Sequence, residues 1–224
     1  MPSLEDFLTK LDENPIAAFT EYNFLVDEES LDYVPGQLGV RDEFKRVDVA
    51  LDYGAQTVTI RAAKDSDAMA NSMSIWFLPW KHFDGAVETS GVSQAVLDGK
   101  GPGIFLTSRL DGCRFTIQYQ TGDMKKASVL HLAGNYGQDR NGAIAREKVE
   151  NTTLENVPKG ADRRRYSIGQ YSKNPKYMPL PVDGVRSYYD GGAATVLGVR
   201  GRDGAWKFFA QQYKNNAFLN VKEL

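Results

Sequence analysis

Hydrophobic and polar positions alternate with a period of two along several short runs of the chain. Val47, Val49 and Leu51 alternate with Asp48 and Ala50, and Val58, Ile60 and Ala62 alternate with Thr57, Thr59 and Arg61. Because successive strand side chains point to opposite faces, this pattern predicts two half-buried strands joined near Asp52-Tyr53-Gly54. A nearly continuous apolar run, Ser74-Ile75-Trp76-Phe77-Leu78, predicts a third strand that Pro79 ends, since proline has no N–H for a ladder. Further strands are predicted over 104–109, 113–120, 128–133, 166–171, 195–200 and 206–213. Turn signals separate them at 99–103, Gly112, Thr121-Gly122-Asp123 and 201–204.

Helical spacing is scarcer. Leu4, Phe7, Leu8 and Leu11 recur at helical intervals behind a Ser3/Asp6 capping pair, and Asn14-Pro15 stops the pattern. A second helix is predicted over 144–149, and 86–97 reads as a helix interrupted at Gly91. The stretch 26–43 is acidic and irregular, with a turn at Pro35-Gly36. Many short strands with few long helices predict a strand-rich α/β fold: a β-sandwich-like core of mixed sheets flanked by helices and long loops. There is no internal repeat and no linker-like segment, so residues 1–224 are read as one domain.

Composition narrows the class. A 224-residue chain that is 42% hydrophobic, with 11 Phe and 11 Tyr, can bury a core unaided and is not a disordered sequence. No run reaches the roughly 18–20 apolar residues of a membrane span, and the acidic Met1–Asp6 start is unlike a secretory signal, so no membrane association is expected. The net charge of −2 selects no partner, but it is unevenly spread. Residues 1–60 hold 13 acids against 4 bases, and residues 140–224 hold 8 acids against 15 bases. The Arg163-Arg164-Arg165 run lacks a recognisable nucleic-acid module around it and reads as a solvated turn or strand edge. Trp76, Phe77 and Trp80, with Tyr188-Tyr189 and Phe208-Phe209, read as core aromatics. No carboxylate spacing marks an acid/base pair or a metal site.

The single cysteine excludes an intramolecular disulfide and a zinc site built on two cysteines. It also makes Cys113 the one candidate for thiol chemistry. Gly112 before it permits a sharp turn that brings backbone N–H groups close, and its place at a strand start suits a cleft. Of the two histidines, His131 follows the Thr121–Asp123 turn, so antiparallel pairing can return it alongside Cys113. A histidine that takes the thiol proton would create a thiolate–imidazolium pair, the activated form of the nucleophile. A buried structural cysteine and a satisfied core histidine remain the alternative for both. His82, after Trp80-Lys81, reads as a loop residue.

The segment Leu110-Asp111-Gly112-Cys113 fits a Leu-x-Gly-Cys pattern and resembles the glutamine deamidase toxins, a group that includes Burkholderia lethal factor and the catalytic domain of cytotoxic necrotizing factor. Thr107 stands six residues before Cys113, where that family has its catalytic threonine. His131 lies in the next strand, as the family's histidine does, and Phe77-Leu78-Pro79-Trp80-Lys81 is similar to a Leu-Pro-Trp-Lys segment of Burkholderia lethal factor. The resemblance spans residues 75–134. One departure is a longer segment between Cys113 and His131, which a longer hairpin absorbs.

The resemblance implies a cysteine-dependent protein glutamine deamidase with a Cys113–His131–Thr107 triad, and Leu110 and Gly112 as its motif and oxyanion residues. It implies no cofactor and no metal. It also implies a folded host-protein substrate, such as a translation-initiation RNA helicase or a Rho-type GTPase, with no direct nucleic-acid partner. The chain would be a monomeric bacterial effector, held in the bacterial cytoplasm and then delivered to the host cytosol. The chemotaxis-receptor deamidases share a similar triad and leave an internal bacterial substrate open. Two other readings stand beside this one: a transglutaminase-like or other cysteine hydrolase, and a non-enzymatic strand-rich binding module with a structural Cys113.

Overall fold

The computed structural model describes residues 4–27, 30–31, 45–53, 57–64, 72–83, 85, 90–136, 140–155, 165–170, 184–189, 192–215 and 217–224. The helices are α1 (Leu4–Glu13), α2 (Pro15–Glu21) and α3 (Arg140–Glu155), with a 3-10 turn at Gly134–Tyr136. The strands are β1 (Asn23–Val26), β2 (Lys45–Tyr53), β3 (Thr57–Ala62), β4 (Ser72–Leu78), β5 (Val92–Leu97), β6 (Ile104–Thr107) and β7 (Arg114–Tyr119). They continue with β8 (Ala127–Leu132), β9 (Arg165–Gln170), β10 (Gly184–Tyr189), β11 (Ala193–Arg200), β12 (Trp206–Lys214) and β13 (Ala217–Glu223). The fold is strand-rich α/β, as the alternation predicts.

The strands form two mixed sheets. The larger has the order β1-β3-β2-β4-β6-β11-β12-β13, and the smaller has the order β10-β9-β7-β8-β5. Alternate residues of each strand separate three cores. Leu78, Phe105, Val196 and Phe208 of the larger sheet meet Phe115, Ile117 and Val129 of the smaller one, which makes the layer between the sheets. The Phe105 ring lies 5.8 Å from Phe115 and 5.9 Å from Phe208. Their chain neighbours Leu106, Leu197 and Phe209 face the other way, into a core with Phe7, Leu11 and Phe19 from α1 and α2. Leu130 and Leu132, on the outer face of the smaller sheet, pack under Val149 and Leu154 of α3. Being covered on both faces explains why β7 and β8 are buried at every position.

The larger sheet curls until it is nearly a closed barrel. Gln211 on β12 ties its two ends together: its Oε1 accepts from the Phe24 N–H of β1 at 2.8 Å, and its Nε2 donates to the carbonyls of Phe19 and Tyr22. The Tyr213 hydroxyl adds a bond to the Phe24 carbonyl at 2.7 Å.

Four elements differ from the sequence-based expectation. Asn14-Pro15 ends α1 but also opens α2, because Asn14 Oδ1 caps the Ala17 N–H and proline is tolerated at the first helical position. Residues 92–97 form β5 rather than part of a helix, since antiparallel pairing with β8 outweighs a weak local preference. β1 is only four residues long and ends where the acidic stretch begins, and β13 is mostly exposed with only Phe218 and Val221 half-buried, so neither carries a clear alternating pattern. Trp80 is 37% exposed and is not a core aromatic, whereas Phe77 is fully buried. Arg165 opens β9 half-buried, with its Nε on Gln118 Oε1 at 3.1 Å and a second bond to Asn151. Pro35-Gly36, Gly54, 86–89 and Arg163-Arg164 lie outside the described residues, as do the side chains of Tyr188 and Tyr189.

Candidate active site

The site is built where the two sheets meet. β4 and β6 run parallel with Leu78 beside Thr107, and the Ser108 N–H donates to the Leu78 carbonyl at 3.1 Å. Ser108 Oγ in turn accepts from the Trp80 N–H at 2.9 Å, which fixes the Leu-Pro-Trp-Lys segment next to the end of β6. The chain then crosses to the smaller sheet. Leu110 forms a two-bond bridge with Ala194 and is fully buried, so the leucine of the motif serves packing. Gly112 turns the chain at φ +79°, a backbone state that side chains with a Cβ rarely adopt. Cys113 follows, and β7 starts at the next residue.

Antiparallel register sets the partners. Phe115 lies opposite His131, so Cys113, two residues earlier, is the diagonal neighbour of His131 on the inner face. Such diagonal pairs lie roughly 7–8 Å apart at Cα, within reach of longer side chains. The pairing extends past the strand ends: a Cβ on Gly134 would fall 2.7 Å from the Gly112 carbonyl carbon, so the two backbones touch there.

The structure brings Thr107 and His131 into direct contact across the two sheets, both fully buried, with 2.8 Å between Thr107 Oγ1 and His131 Nδ1. Thr107 has one hydroxyl proton, and it donates that proton to the Leu78 carbonyl at 3.0 Å. At His131 it therefore accepts, which places the ring proton on Nδ1 and a lone pair on Nε2. Nε2 is buried and has no hydrogen-bond partner, so it makes no hydrogen bond to the Cys113 sulfur. Burial holds the His131 pKa down at about 3, and the ring is neutral at physiological pH.

Cys113 is 4% exposed. Burial pushes its thiol pKa up, while backbone hydrogen bonds at Gly134 and Asp111 and the Arg146 guanidinium pull it back, and the Asp111 charge adds to the rise. The thiol itself points to the Asp111 carbonyl at 3.9 Å. The resting pair is therefore a thiol beside a neutral imidazole. This corrects the expectation of a thiolate–imidazolium ion pair: desolvation penalises both charged forms, and a threonine supplies no negative charge to hold an imidazolium.

Two residues of the site carry no sequence signal. Ser93 pairs directly with His131 across β5 and β8 on the same face, 3% exposed, and its hydroxyl is also without a partner. Arg146 comes from α3, 8% exposed, and its Nη1 meets the Gly134 carbonyl at 3.4 Å. His82 is exposed at the rim, its ring 5.5 Å from Trp80 in an edge-on contact. Among the described residues no group of three or more His, Cys, Asp or Glu side chains gathers to hold a metal ion, and no helix is long and apolar enough to cross a membrane. No protein-family model matches the chain, and no curated protein is significantly similar to it.

Proposed function

We propose that the protein is a cysteine-dependent protein glutamine deamidase. The observation that carries this reading is the Thr107–His131 hydrogen bond, which leaves Nε2 as an unprotonated base on the face that Cys113 shares. The motif order of Thr107, Cys113 and His131 supports it independently.

In this reaction the Cys113 sulfur attacks the side-chain carbonyl carbon of a glutamine while its proton passes to His131 Nε2. The tetrahedral oxyanion is stabilised by backbone N–H groups at the Gly112 turn, an effect worth about 3 kcal/mol per donor in other hydrolases. The imidazolium returns its proton to the departing ammonia as the C–N bond breaks, leaving a thioester. A water then gives its proton to Nε2 and attacks the thioester, and collapse releases glutamate and restores the thiol. Thr107 holds the ring in the tautomer that these transfers need, the third-group role of a triad. The neutral ring has a lone pair for the proton, and relief of the burial that holds its basicity down is what makes it a usable base. Because the sulfur and Nε2 are buried and not yet bonded to each other, the reaction begins with a small opening that admits the glutamine. A folded host protein, delivered to from a bacterial cell, remains the proposed substrate.

The second reading, a strand-rich module with a structural cysteine, is favoured by the burial of Cys113 and by the lack of a hydrogen bond at Nε2. Incubation with a eukaryotic cell lysate separates the two. Ammonia release with Gln→Glu conversion in a lysate protein, lost in Cys113→Ser with the fold intact, is the expected result. An equal signal from Cys113→Ser, or none from the wild-type chain against eukaryotic and bacterial lysates, would sink the deamidase reading. Amine incorporation in place of ammonia release would identify a transglutaminase.

A further inference from the structure

A thiol that must ionise in a dry site needs positive charge nearby, and the resting triad supplies none: His131 is neutral until it takes the thiol proton, and Thr107 is uncharged. We propose that Arg146 is the positioning residue that makes Cys113 usable, holding the Gly134 turn against the sulfur from α3 and presenting the cation that a thiolate requires. The geometry is a short relay. Arg146 Nη1 meets the Gly134 carbonyl at 3.4 Å, and the Gly134 backbone lies against Gly112, the residue before Cys113. The Gly134 N–H faces the sulfur, so the peptide groups on either side of Gly134 link the guanidinium to the thiol. Arginine suits this place because it stays charged when buried.

The groups acting on the sulfur come from every element around it. Asp111 of its own loop is negative and opposes ionisation, and Arg146 from α3 favours it. His131 from β8 is neutral, and the larger sheet contributes the apolar Leu78 and Phe105. Arg114, the next residue, is turned to the other face, where it binds Glu147 and Glu150. Arg146 is thus the cation of the site, and the unpartnered Nε2 of His131 marks the same place as built for proton transfer. The inference builds on the proposed function but concerns the thiol alone, so it is tested without a substrate.

The chain has one cysteine, so alkylation by iodoacetamide followed by intact mass reads Cys113 alone. Arg146→Gln is expected to raise the apparent pKa of the rate–pH profile by about one unit, a roughly tenfold slower reaction at a fixed pH below the pKa. Arg146→Lys should restore most of the shift, and Lys148→Gln on the same helix should leave the profile in place. An unchanged profile in Arg146→Gln, or a Lys variant shifted as far as the Gln variant, overturns the proposal. If Arg146→Gln does not fold, Asp111→Asn on the exposed loop serves instead. Removing the opposing charge must lower the profile, and no change there overturns a charge-governed thiol. A shifted profile in a protein that releases no ammonia would defeat the deamidase reading and leave this one standing.

Discussion

Adjacent residues of one chain segment, Cys113 and Arg114, open onto opposite faces of the smaller sheet, and each sits in a buried polar cluster. The outer cluster is paired: the Arg114 guanidinium meets Glu147 at 3.0 Å and Glu150 at 2.8 Å, with Glu150 only 1% exposed. The inner cluster is not. Thr107 satisfies one nitrogen of His131, while Nε2 and the Ser93 hydroxyl opposite it have no partner. Buried polar atoms are nearly always hydrogen-bonded, so a cluster of orphaned ones points to work other than holding the fold. Among the described residues, Thr116 Oγ1 on the outer face and Asn23 Oδ1 and Arg200 Nη1 of the larger sheet are also buried without a hydrogen bond, but each stands apart from the others. The contrast separates a cluster that locks α3 onto the sheet from one that keeps a donor or acceptor in reserve.

The largest effect is expected in the paired cluster. Arg114→Leu strands two carboxylates under α3 and should cost about 3–5 kcal/mol of unfolding free energy in urea titration. A loss below ~1 kcal/mol would show that the ion pair does not anchor the helix.

Acid should find the inner cluster next. The unfolded chain protonates His131 near its ordinary 6.5, whereas the folded chain resists protonation down to about 3. Between those values the unfolded state holds the extra proton, so this contribution to stability is complete above pH 6.5 and falls as the pH drops. The slope is about 1.4 kcal/mol per pH unit. His131→Gln should flatten the stability–pH curve by that amount between pH 6 and 4, and parallel curves would mean that the folded ring is already charged there.

Thr107→Val removes the acceptor for the Nδ1 proton and leaves a buried donor unpaired. It should cost about 1–3 kcal/mol. It should also change the ring tautomer, visible in the nitrogen chemical shifts of His131. Unchanged shifts would deny Thr107 its role in fixing the tautomer. His82→Ala, at the exposed rim, is expected to stay within about 0.5 kcal/mol of wild type and to leave the Cys113 alkylation profile unmoved. A clear effect on either would bring His82 into the site.

Local chemistry determined a good part of this molecule. The alternation at Thr57–Ala62 gives β3 over those same residues, because one face of that strand meets the core and the other does not. The Gly112 turn follows from the one residue type that takes φ +79° without strain. Cys113 and His131 are legible as candidates because the chain offers one thiol and two imidazoles, and Thr107 because the motif order resembles a known triad. β5 is a strand only because β8 lies beside it, and β13, mostly exposed, is a strand only because β12 is its neighbour. Tertiary structure alone joined Thr107 of the larger sheet to His131 of the smaller. It also set Ser93 opposite the ring and brought Arg146 in from a helix 33 residues beyond Cys113. The reason is physical: hydrogen-bond acceptance, orphaned atoms and the charge felt by a buried sulfur are properties of the layer between two sheets, and that layer exists only once the sheets have closed on each other.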